Sequence, residues 1–95
     1  AIPIIGTIKN AKPKHLKKYN TKYGVKISRL TSNRKYLEFW NNNGVQEGDV
    51  ITAINNVEVN TIEDVQAILK NTQQNDLLRI ELINSKGEKE RYNFR

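Results

Sequence analysis

The stretch Gly44-Val45-Gln46-Glu47-Gly48-Asp49-Val50-Ile51-Thr52-Ala53-Ile54-Asn55-Asn56 decides how this chain folds. Its two glycines permit backbone turns that Cβ-bearing residues resist, and Asp49 can bond amides of the same turn. Val50 to Ile54 then reads as a short buried strand, closed by the Asn55-Asn56 turn. Val57 and Val59 make a brief return. Thr61 caps a helix from Ile62 to about Asn71, with Glu63 and Asp64 in its first turn and Lys70 in its last, as the helix dipole prefers. The Thr61-x-x-Asp64 spacing is close to a capping box.

Working outward towards the N-terminus, Thr31, Ser32 and Asn33 supply caps for a helix over about Arg34 to Trp40, ended by the triple asparagine and Gly44. Val25 to Leu30 is a mostly alternating strand. Pro13 opens a short helical turn through Tyr19. Ile2 to Ile8 is apolar and β-branched, with Pro3 where an edge strand tolerates it. Towards the C-terminus, Leu77–Ile83 and Glu88–Phe94 form a hairpin around Asn84-Ser85-Lys86-Gly87. No repeat or linker divides the 95 residues, so a single domain over 1–95 is expected.

Composition removes several function classes. The absence of cysteine excludes disulfides, thiolate metal sites and thiol nucleophiles. His15 is the only histidine and lies among lysines. Ser28, Ser32 and Ser85 are outside any nucleophile-elbow setting. Turn and capping roles account for Glu47, Asp49, Glu58, Glu63 and Asp64. Neither catalytic residues, a metal site nor a cofactor is expected. No apolar run approaches the roughly 20 residues that span a bilayer, so direct membrane insertion is not expected.

Charge is unevenly spread. Residues 1–48 carry ten Lys/Arg and two Glu, a balance of +8, whereas residues 49–95 carry six and eight, a balance of −2. Such a basic half can attract nucleic acid or an anionic membrane face. Without an aromatic RNA-binding motif or a recognition-helix pair, a solvated basic surface is the plainer reading, and nucleic acid is not an expected partner.

Taken together, the Gly44-x-x-x-Gly48-Asp49 turn, the Ile54-Asn55-Asn56 turn and the Thr61-Ile62-Glu63-Asp64-Val65 helix start resemble, in order and spacing, the PDZ domains of the bacterial HtrA/Deg serine-protease family. Asn56 stands where that family usually has glycine, and asparagine tolerates the left-handed conformation. The resemblance implies an α+β fold, a PDZ-like partly open β-barrel of five or six short strands capped by two helices in the bacterial permuted arrangement. It implies a non-catalytic peptide-binding module that takes protein C-termini or unfolded segments by strand addition. Its place would be beside a parent protease domain in the periplasm or cell envelope.

The implied site has two walls. Backbone amides of Tyr23, Gly24 and Val25 would hold a peptide carboxylate, with the peptide pairing along the edge strand Val25 to Leu30, chiefly at Val25, Lys26 and Ile27. The second wall is the helix stripe Ile62, Gln66 and Leu69, at i, i+4 and i+7, leaving Val65 and Ile68 for the core. Tyr23, Val25 and Ile27 alternate and so share a face. Isoleucine at position 62 cannot bond a hydroxyl, which predicts apolar peptide residues at the terminal and antepenultimate positions. Two plainer readings compete. The alternating residues can simply fill a core, and the helix bearing Tyr36, Leu37, Phe39 and Trp40 can be core or the docking patch of a structural, oligomer-holding domain.

Overall fold

A computed structural model describes residues 2–72 and 76–94 of the chain. The elements run β1 (Gly6–Asn10), α1 (Pro13–Lys18), β2 (Val25–Leu30), α2 (Arg34–Asn42), β3 (Val50–Ile54), β4 (Val57–Glu58), α3 (Ile62–Lys70), β5 (Leu78–Ile83) and β6 (Lys89–Phe94). The strands form one open six-stranded antiparallel sheet in the order β1-β2-β3-β5-β6, with β4 paired to β3. With three helices, this is the α+β, PDZ-like fold expected from the 44–65 stretch.

Local chemistry explains most of these elements. Asn55 and Asn56 both adopt left-handed backbone, with φ of 52° and 67°, and turn β3 back into β4. The Asp49 carboxylate accepts from the Gln46 N–H at 3.1 Å, tying off the turn before β3. Thr61 caps α3 by accepting from the Asp64 N–H, and the Asp64 side chain returns the bond to the Thr61 N–H, a complete capping box. The Asn33 side chain accepts from the Lys35 N–H at the start of α2, which runs two residues beyond Trp40.

Alternation along the strands separates two apolar clusters. Ile51, Ile54, Ile80 and Leu82 point to one face, where α2 and α3 add Trp40 and Val65. Val50 and Ile83 point to the other, where Tyr19 and Leu16 of the α1 region cover them. The segment around α1 therefore packs on the face opposite α3. Trp40 is 1% exposed, and Phe39 and Tyr36 pack edge-on against Tyr92 and Phe94 of β6. The aromatic helix is core.

The first strand differs from the sequence reading. Extended structure begins at Gly6, not Ile2, because residues 2–6 close a tight turn in which the Ile5 and Gly6 N–H groups both donate to the Ile2 carbonyl. Pro3 fixes one backbone angle inside this turn, and Gly6 completes it at φ +118°, a conformation that side chains resist.

Two acids give the fold opposing pH dependences. Backbone N–H groups of Asn60 and Thr61 hold the Asp64 carboxyl below its usual 3.8. Its contribution is present above that value and is lost as pH falls through the lower native pKa. Burial pushes the Asp49 carboxyl up from 3.8, so its contribution is greatest in acid and declines as pH rises through the raised native pKa. Thr61→Ala is expected to cost about 1 kcal/mol in urea unfolding at neutral pH. The stability difference between the parent protein and Asp64→Asn should shrink as unfolding is repeated at pH values falling below 3.8.

Candidate functional site

A sheet can accept a further strand only where one of its strands lacks a neighbour. Here the terminal strand on the helix side is β1, whose free side approaches α3. The expected edge, β2, is an interior strand, with β1 on one side and β3 on the other. Val25 and Ile27 are 0% and 1% exposed and lie in the main core, so the core reading of that alternation is the correct one.

The amides expected to hold a carboxylate are also engaged. The Tyr23 N–H donates to Thr21 Oγ1 at 3.4 Å, and the Gly24 N–H donates to Asn60 Oδ1 at 3.3 Å. Val25 is paired with Asn10 and Ile51. The Tyr23 hydroxyl turns to Glu58, and that bond pushes its pKa up. Gly24 is required by packing: at φ +140°, a Cβ would collide with the Val50 side chain and the Ile51 carbonyl. Lys26 sits on the outer face of the sheet, in register with Lys9 and Val50.

Hydrogen-bond alternation shows what β1 offers. The Ile27 N–H donates to the Asp49 carbonyl at 2.9 Å, and the Ile27 carbonyl accepts from the Gly48 N–H at 2.7 Å. Ile27 therefore has no backbone groups left for its β1 partner, Ile8. The N–H and C=O of Ile8 consequently point away from β2, towards the open side. Asn10 follows the same alternation two residues on. Gly6 shares that orientation, but its outward groups already bridge to Ile2.

The expected helix stripe lies on α3. Ile62 and Leu69 are half-buried on α3, Gln66 is exposed between them and Val65 is fully buried. Ile68 is half-buried and packs on the core. Asn10 locks the two walls together at one end, its Oδ1 accepting from the Ile62 N–H at 2.8 Å. At the other end the turn before β1 is fastened from below. Thr31 Oγ1 donates to the Pro3 carbonyl at 2.6 Å, the Thr31 N–H to the Ile5 carbonyl at 2.9 Å, and Trp40 Nε1 to the Ile4 carbonyl at 2.7 Å. Thr31 and Trp40 thus position the edge strand. Sequence reasoning missed β1 as the edge, although Pro3 was a signal for it.

Comparison with known families agrees with this architecture. Residues 42–84 match the PDZ domain family. A PDZ domain is found in this chain. The match runs from the end of α2 through β3, β4, α3 and β5. No curated protein matches the chain. PDZ domains are generally non-catalytic protein-interaction modules that bind protein C-termini or peptide segments. In this PDZ domain the helical wall lies inside the matched segment, and the edge strand lies before it.

Two substitutions separate packing from positioning. Gly24→Val is expected to cost about 2–5 kcal/mol through strain and overpacking, read as loss of native dispersion in a proton–nitrogen correlation spectrum. Trp40→Phe keeps most of the core contact but leaves the Ile4 carbonyl without its donor. It should cost about 1–3 kcal/mol in urea unfolding, with amide shifts concentrated at residues 3–8.

Proposed function

We propose that this PDZ domain binds extended peptide segments by adding them as a strand to β1, alongside α3. One observation carries the reading: Ile8 and Asn10 present unpaired-side backbone groups to the gap between β1 and α3. An added strand would exchange bonds with those groups and set alternate side chains against Ile62, Gln66 and Leu69. The two lining isoleucine and leucine side chains, both apolar, favour apolar peptide residues at those alternate positions.

The turn before β1 bears on which segments fit. Its Ile5 and Gly6 amides, which a carboxylate at this end of the strand would need, are taken by the Ile2 carbonyl. Internal extended segments are therefore suitable ligands, and a free chain end would have to displace Ile2. The broader role we assign is substrate recognition or regulation beside a serine protease of the HtrA/Deg type in the periplasm or cell envelope. Its support is the order and spacing of the motifs between Gly44 and Val65.

Titration of the isotope-labelled protein with peptides ending in Val-x-Val and Thr-x-Val tests the binding mode. Amide shifts are expected at residues 7–10 and 62–69, with tighter binding of the Val-x-Val peptide and little change when its end is amidated. Shifts confined to residues 23–29, or none at saturating peptide, would overturn the reading.

A further inference from the structure

Beside the free edge, on the sheet face opposite α3, lies a cleft of about 660 Å³ whose charge is all of one sign. Lys9 of β1, Lys26 of β2 and Lys12, Lys14 and Lys18 from the α1 region line it, together with His15 and Asn10. Residues 9–26 contain seven lysines and no acid. Among the described residues, none of these lysines lies in an ion pair. Lys9 and Lys26 are also in register across β1 and β2, so two like charges stand directly opposite one another. Such a pair weakens a sheet unless an anion lies between or beside the two.

The cleft adjoins the strand to which a ligand would add. An incoming residue opposite Lys9 must share the outward face with Lys9 and Lys26, because directly opposed residues of an antiparallel pair point the same way. Its neighbours on either side point to α3. The two faces of one bound segment therefore meet different chemistry: Ile62 and Leu69 on one side, and lysines on the other.

We propose that this cleft selects acidic side chains at the alternate ligand positions turned away from α3, so that the preferred partner is an acidic–apolar alternating segment. The proposal rests on strand addition to β1. It favours a peptide over a polynucleotide because the cleft is continuous with Lys9 and Asn10 of that edge.

The test uses three fluorescein-labelled peptides of equal length: Ala-Gln-Ala-Gln-Val-Gln-Val, Ala-Glu-Ala-Glu-Val-Gln-Val and Glu-Gln-Glu-Gln-Val-Gln-Val. In the second the acids alternate with the apolar positions; in the third they are moved by one residue. The second should bind roughly threefold to tenfold more tightly than the first, with the third between them. Lys14→Gln with Lys18→Gln should remove the advantage while leaving the neutral peptide unchanged, and Lys9→Gln with Lys26→Gln should also remove the advantage. Raising salt from about 0.05 to 0.5 M should do likewise. Equal binding of all three peptides overturns this proposal alone, as does equal binding of the second and third. So does a duplex or single-stranded oligonucleotide that shifts the cleft amides while acidic peptides gain nothing. Failure of all three peptides to bind overturns strand addition as well.

Discussion

The candidate groove depends on how the turn at residues 3–5 is fastened beneath the sheet edge. Three consecutive carbonyls, of Pro3, Ile4 and Ile5, each accept a hydrogen bond from Thr31 or Trp40. Those donors lie in the connection after β2 and in the last turn of α2, remote in sequence from the carbonyls they hold. The fastening holds the N-terminal end of β1, as the Asn10–Ile62 bond holds the other end against α3. Trp40 suits this task because its ring is wedged among Phe39, Tyr92 and Phe94, which fixes the direction in which its N–H points.

Much of the domain was legible from sequence because its chemistry is local. The Gly48-Asp49 turn, the paired left-handed asparagines and the Thr61–Asp64 cap each act within a few residues, so their residue types announce them. The helix stripe followed directly, since Ile62, Gln66 and Leu69 are tied together by helix periodicity alone. Edge position was not legible from β2. A strand of alternating apolar residues looks the same whether its neighbours number one or two, and Gly24 serves close packing against Val50 equally well as ligand access. Sheet order is a non-local property, and the proline at position 3 was its only local trace.

The aromatic character of α2 illustrates the same distinction. Tyr36, Phe39 and Trp40 could face solvent or core, and periodicity cannot say which, because the covering element is β6, some 50 residues later in the chain. The strand that covers them is itself largely polar, with Lys89, Glu90 and Arg91 exposed and only Tyr92 and Phe94 partly buried. The aromatic contacts of α2 with Tyr92 and Phe94 thus extend an otherwise aliphatic core out to the last strand.

The shortness of the open margin has a further effect. With Gly6 bridged to Ile2 and Asn10 tied to α3, only a few main-chain groups stay accessible, next to the positive charge of Lys9. Two copies approaching edge to edge would bring that charge against its own image while gaining few bonds. This margin can therefore remain receptive to an outside segment while disfavouring pairing of two copies through β1.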